Sequence, residues 1–238
     1  MKHDRGFTLV ELLVTIAVMM ILLTALYGAV NSVQKSSTGI ERRVDAQQAV
    51  KPALDLMAME IAMASFNPNY TPDLWVNPPV GAGVCGDPSS NQDYRGIQEA
   101  TATSITVQMD IRGSADGSAG NGALGNPNEM IRYNYDEAKQ FITRATNCGS
   151  GQPFLGASPG NHRAVRVING TLNIPLFRYY DGTGMEISAG SLPGTIPDIR
   201  RIEIVLAVET EDIDLITRKR KRMIYATSVI PRNHAIIP

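Results

Sequence analysis

The chain has 238 residues, of which 43% are hydrophobic and 19% charged, and a formal net charge of -1 at pH 7. This is an ordinary globular composition, and nothing in the overall charge points to nucleic acid as a partner. Two cysteines without a C-x-x-C spacing and only three histidines leave neither a redox dithiol nor a zinc cluster to build a function on.

At the N-terminus a short basic leader holding Lys2, His3 and Arg5 ends in Gly6 and runs into Phe7-Thr8-Leu9-Val10-Glu11-Leu12-Leu13. After Glu11, the 19 residues 12–30 carry no charge. Such a run is about long enough to span a bilayer core, and a carboxylate at its start costs roughly 2.5–3.5 kcal/mol at membrane depth. In an ordinary anchor Glu11 would sit in the headgroup zone; otherwise it is there for function. A secretory signal has a shorter apolar core and a small-residue cutting site at its far end. Here the run is longer, and Ala25-Leu26-Tyr27 is a poor match to such a site.

The leader, the glycine and the Phe-Thr-Leu-Val-Glu-Leu-Leu stretch closely resemble the class III signal of type IV prepilins and type II secretion pseudopilins. The resemblance implies a cut between Gly6 and Phe7 by a membrane aspartyl prepilin peptidase, followed by N-methylation of Phe7. Glu11 becomes the fifth mature residue and is expected to pair with the N-terminal ammonium of a neighbouring subunit. The physics agrees with such a role, since a buried carboxylate is tolerated only when its partner is present. The implied partners are other pilins or pseudopilins through the helix, the prepilin peptidase and the inner-membrane assembly platform. The implied location is the bacterial inner membrane with the head in the periplasm, then a pilus or pseudopilus. Loss of residues 1–6 removes Lys2, Asp4 and Arg5, so the mature formal charge becomes -2.

Beyond residue 30 the chain turns polar, and Ile40, Val44, Val50, Leu54, Met57 and Ile61 recur at mostly helical spacing. One helix over 9–66 is expected, about 87 Å long at 1.5 Å per residue, apolar all round in its first half and amphipathic in its second. Gly28 and Pro52 interrupt it. A glycine costs about 1 kcal/mol relative to alanine, and the proline removes one backbone hydrogen bond and is expected to kink the helix or be tolerated as a local irregularity. Many type IV pilins carry a proline where Gly28 stands.

Asn67-Pro68-Asn69 is expected to end the helix and open a Pro-, Gly- and Asn-rich ordered loop to about residue 96, with Trp75 and Cys85 in it. Cys85 and Cys148 lie in the part expected outside the cytoplasm, where oxidation is allowed, and are predicted to form one disulfide. Closing a loop of about 64 residues would contribute roughly 4 kcal/mol in the chain-entropy picture. Two free thiols are the alternative.

Short apolar alternations follow. Strands are predicted at 104–111, 130–135 and 140–143, with a glycine- and asparagine-rich connection at 113–127. Another is predicted at 176–180, ending in a turn at Asp181-Gly182. The clearest are 202–208 and 222–230, two alternating segments joined by a charged hairpin tip. The order of Ile131-Arg132-Tyr133-Asn134-Tyr135-Asp136, Phe141-Ile142-Thr143-Arg144, Leu176-Phe177-Arg178-Tyr179-Tyr180-Asp181 with Gly184 close behind, and Ser228-Val229-Ile230-Pro231-Arg232-Asn233 resembles PilW-like minor pilins and, more distantly, J-type pseudopilins. The fold class expected is α+β, a long N-terminal helix packed on a head with an antiparallel β-sheet. The divisions expected are a leader at 1–6, a membrane or filament-core half-helix at 7–30, an amphipathic half at 31–66 and a β-rich head at 67–238.

The candidate chemistry is sparse. Asp110, Asp116, Gly117, Ser118 and Asn121 can be read as a calcium loop, but without alternating acids and a closing glutamate they read better as a solvated turn. Arg218, Lys219, Arg220, Lys221 and Arg222 can be read as a site for DNA phosphates or an anionic surface, but Glu209, Glu211, Asp212 and Asp214 are expected to face and partly neutralise them. Tyr133, Tyr135, Tyr179 and Tyr180 are expected to be face and core residues of strands. No nucleophile elbow, phosphate loop or paired catalytic carboxylates occur, so neither catalysis nor a metal or other cofactor is expected. The reading that results is a minor type IV pilin that helps initiate or cap assembly, since the head is large for a bulk filament protein. The rivals are a type II secretion pseudopilin and a DNA-binding pilus subunit carried by the basic hairpin.

Overall fold

The computed structural model describes residues 8–77, 89–113, 120–156, 164–214 and 217–235. It begins with α1, Leu9–Ala62, a 54-residue helix about 81 Å long at 1.5 Å per residue. Pro52 lies inside it without ending it. Pro52 and Gln48, whose carbonyl it leaves without an amide donor, both face solvent, so water can take the missing partner's place. No break in the helix appears there.

The helix stops four residues before the sequence pattern predicts. Ala64 N–H turns to the carbonyl of Ile61, and Ser65 adopts φ +67° with its N–H on the carbonyl of Gln108 at 2.9 Å. The Gly96 N–H then donates to Ser65 Oγ at 3.0 Å. Contacts with distant strands thus take over the amides that would have continued the helix, which a local pattern does not reveal.

Only the second half of α1 is packed. Ala46, Val50, Ala53, Leu54, Met57 and Ile61 are buried, a stripe at helical spacing that lies against the head. Ile40 and Val44, expected on that stripe, are 62% and 42% exposed. At 100° per residue they belong to another face, and the buried stripe starts at Ala46.

The head is antiparallel throughout but built as two sheets rather than one. The first is a meander of β1 (Ile97–Ala100), β2 (Ser104–Gln108), β3 (Met130–Asp136), β4 (Phe141–Thr146) and β5 (Gln152–Leu155). The second holds β6 (Val165–Val167), β7 (Phe177–Tyr180), β8 (Arg201–Thr210) and β9 (Arg222–Val229). Strand β9 pairs with β8 from Ile202 to Glu209. The pairs Val165 with Thr210 and Phe177 with Ile204 therefore occupy the other edge of β8, with β6 and β7 end to end along it. Between them Asn169 stands in for a strand: its amide donates to Val205 O at 2.7 Å and to Ile174 O at 3.2 Å, and accepts from Ala207 N at 2.9 Å.

The two sheets meet at that composite edge. The turn between β1 and β2 supplies Ala102 O to Leu176 N at 2.8 Å, and the turn between β3 and β4 supplies Gln140 O to Val167 N at 2.9 Å. Tyr179 Oη reaches Thr101 O at 2.8 Å and Tyr135 Oη reaches Val167 O at 3.1 Å. The edge donors are used within the molecule rather than left to another chain. Residues of α1 and of both sheets then share one apolar core.

The predicted strands at 104–111, 130–135, 140–143, 176–180, 202–208 and 222–230 correspond to β2, β3, β4, β7, β8 and β9. β1, β5 and β6 were not predicted. Tyr133, Tyr135 and Tyr179 are buried core residues, while Tyr180 is half-buried on the outer face.

Candidate functional site

At its first turn, Thr8 caps α1 with an extended backbone, accepting the Glu11 N–H on its hydroxyl at 3.3 Å. The Glu11 carboxylate returns to accept the Thr8 N–H at 2.9 Å and the Thr8 hydroxyl at 2.8 Å. This is a reciprocal capping box, two orphan donors of the helix start satisfied by one side-chain pair. Glu11 is thereby held at the mouth of the apolar half within the subunit itself. The Thr-x-x-Glu spacing is a readable signal for it, which the charge of Glu11 and the prepilin resemblance do not use. Gly6 and Phe7, the expected cutting point, lie outside the described residues.

Past Glu11 the helix stands bare. Leu12, Val14, Ile21, Leu22 and Tyr27 are 56–74% exposed. The segment is long and apolar enough to cross a membrane, and none of its most apolar window is buried among the described residues. A Cβ on Gly28 would meet nothing within 4 Å, so the glycine answers no packing demand within the subunit.

At the other end of α1, Glu60 is 5% exposed and is answered by two strands. Arg144 on β4 holds it with Nη2 at 2.5 Å and Nε at 3.1 Å, and Tyr133 on β3 donates its hydroxyl to the same carboxylate. Burial, then the neighbouring carboxylate, pushes the Tyr133 hydroxyl above its ordinary range, and the bond to Glu60 pushes the Arg144 guanidinium up. An acid on a helical stripe otherwise apolar was the available signal, and it went unread.

The chain end is tied to the helix end. His234, fully buried, places Nε2 at 2.9 Å from Ile196 O, so that nitrogen donates, and Nδ1 accepts from Ser65 Oγ at 2.9 Å. Burial and then the nearby Arg95 and Arg200 charges push its pKa down to about 4, against the carbonyl contact.

The suspected calcium loop proves different. Asp110 is fully buried, not part of a solvated turn, and accepts the backbone N–H of Asn121 at 3.0 Å and of Gly122 at 2.9 Å. Asp116, Gly117 and Ser118 lie outside the described residues. Gly120, at φ +76°, has no room for a Cβ, which would stand 2.6 Å from the Asp110 carboxylate and 2.5 Å from Pro68. The acid shapes the loop through backbone amides.

Cys148 is disulfide-bonded and buried in the turn that follows β4. Cys85 lies outside the described residues. Trp75 is 7% exposed, its backbone N–H and C=O both bound by the Gln92 side chain at 3.2 and 2.8 Å.

The basic run ends the β8–β9 hairpin, but only part of the expected neutralisation occurs. Arg222 faces Glu209 across the strands at 3.4 Å. Glu211 is gripped by Arg166 of β6 at 2.5 and 2.6 Å, Asp212 pairs with Arg42 of α1 at 3.6 Å, and the Asp214 carboxylate accepts the Thr217 N–H at 2.7 Å. Glu211 and Asp212 thus pair with arginines outside the run, while Asp214 braces the hairpin loop. Arg218, Lys219, Lys221 and Arg222 remain exposed.

Residues 1–27 match the prokaryotic N-terminal methylation motif. No curated protein and no solved structure matches the chain. The motif supports a type IV prepilin-like family and, with the apolar helix, membrane anchoring before assembly with other pilins. The long helix with its antiparallel head is an α+β arrangement that fits a type IV pilin-like fold.

Proposed function

We propose that this chain is a minor type IV pilin, a structural subunit that helps initiate or cap pilus assembly after cleavage between Gly6 and Phe7 and N-methylation of Phe7. The observation that carries the reading is the bare apolar half of α1 with Glu11 at its mouth. A surface of this size left uncovered by its own head needs lipid or other helices to cover it. A carboxylate at its entrance needs a partner when that cover arrives. The capping box gives Glu11 a partner within the subunit; in the filament the ammonium of a neighbour's Phe7 takes over. The two-sheet head supports a specialised rather than a bulk subunit, and the bond of Cys148 is assigned to Cys85, the chain's other cysteine.

The test is the mass and N-terminal sequence of the protein recovered from membranes with and without the prepilin peptidase. A mature chain starting at methylated Phe7 only when the peptidase is present is the expected result, and an intact Met1 or a cut beyond Val30 overturns the reading. Recovery in filaments sheared from the cell surface, rather than in the periplasm alone, separates a pilus from a secretion pseudopilus.

A further inference from the structure

Among the described residues, the head meets α1 around Thr38, Gly39 and Arg42, where the β8–β9 tip contacts the helix. Arg42 donates from Nη1 to Ile213 O and pairs with Asp212, while the Asp214 carboxylate oxygen stands 3.0 Å from where a Gly39 Cβ would be. The tip therefore contacts α1 close to the apolar run. That run ends at Val30, so the contacts at Gly39 and Arg42 lie about 14–18 Å further along the axis at 1.5 Å per residue. A headgroup layer takes up about 5–8 Å of that distance. Extended lysine or arginine side chains and a Debye length of about 8 Å cover the rest.

The charge on the tip suits that position. Thr217, Lys219, Arg220, Lys221 and Arg222, with Glu209 at one side, border one shallow concavity of about 680 Å³. Glu209 pairs with Arg222 there, Glu211 with Arg166 and Asp212 with Arg42, and the Asp214 carboxylate accepts a loop amide. Lys35, exposed on the helix between span and tip, adds to the same field. Resting on the anchored-pilin reading, we infer that this basic tip seats on anionic lipid headgroups while the subunit waits in the membrane, and is released when the subunit is drawn into a filament. The partner is a lipid surface rich in phosphatidylglycerol-type phosphates, which a cluster of exposed cations beside a membrane span attracts.

The full chain is reconstituted in vesicles of phosphatidylcholine alone or with about 40% phosphatidylglycerol, and acetylation of Lys219 and Lys221 is compared with that of Lys51. Lys51 is exposed on α1 much further from the span. Acetylation of the two tip lysines is expected to slow at least about threefold in the anionic vesicles, with Lys51 unchanged, and to recover at about 0.5 M salt. The variant carrying Arg218→Gln and Arg222→Gln, which keeps both reporter lysines, is expected to lose most of that protection. Equal labelling in both vesicles, with the chain floating in both, overturns the inference and leaves the anchored reading standing. A chain that floats with neither overturns both. Protection that appears in phosphatidylcholine and grows with protein density assigns the tip to a second copy and also overturns the inference.

Discussion

Glu60 is the residue whose burial has most to say about the head. A carboxylate at 5% exposure survives there because Arg144 and Tyr133 answer it, and removing one partner of such a pair leaves an uncompensated buried charge. Arg144→Ala is expected to destabilise the protein by about 3–5 kcal/mol, measured by denaturant unfolding, whereas replacing the pair by Glu60→Leu and Arg144→Met recovers most of the loss. His234 makes a second prediction at this scale. Its folded pKa is about 4 against about 6.5 when unfolded, so between those values the unfolded chain binds the extra proton. Its contribution is complete above about pH 6.5, falls by roughly 3 kcal/mol as pH drops toward 4 and is level below that. Melting temperatures of wild type and His234→Gln across this range should differ in slope there and run parallel above it.

Among the elements, the second sheet depends on a gap being filled. β6 and β7 leave the Val205 carbonyl and the Ala207 N–H of β8 without strand partners, and the buried amide of Asn169 takes both. Asn169→Ala removes the partner of two buried backbone groups and of the half-buried Ile174 carbonyl, and is expected to cost about 2–4 kcal/mol in thermal or denaturant unfolding. Asn169→Asp should cost at least as much, because it keeps the acceptor but loses both donors and buries a charge. Much of this architecture was legible in sequence: the eight- to ten-residue alternations of β8 and β9 and the 130–146 hairpin declare themselves through period and turn residues. β1, β5 and β6 did not, since three or four residues such as Val165-Arg166-Val167 hold too little alternation to read, and they are strands only because a neighbour pairs with them. The early stop of α1 at Ala62, the composite edge and the docking of the tip on Arg42 all rest on contacts between distant residues. For the same reason the N-terminal site was legible as a motif, whereas its capping geometry and the Glu60 cluster required coordinates.

Taken whole, the molecule is a helix with two owners. Residues 46–61 serve the head through a buried stripe, and among the described residues nothing covers the half before Val30. Glu11→Ala should therefore leave head stability unchanged and processing largely intact while cutting incorporation into filaments at least about tenfold, as expected when an interface charge pair loses one member. Immunoblots of membrane and sheared fractions read this directly; wild-type incorporation would remove the role given to Glu11. The continuity of α1 through Pro52 has a mechanical side as well. In the proposed filament, tension would pull on this subunit through its N-terminal half, and the load would enter the head along the helix axis. It meets Arg42 first, then the apolar stripe, and last the grip of Arg144 and Tyr133 on Glu60. Those contacts resist sliding together rather than peeling one by one, so the head is joined to its rod as a lap joint loaded in shear.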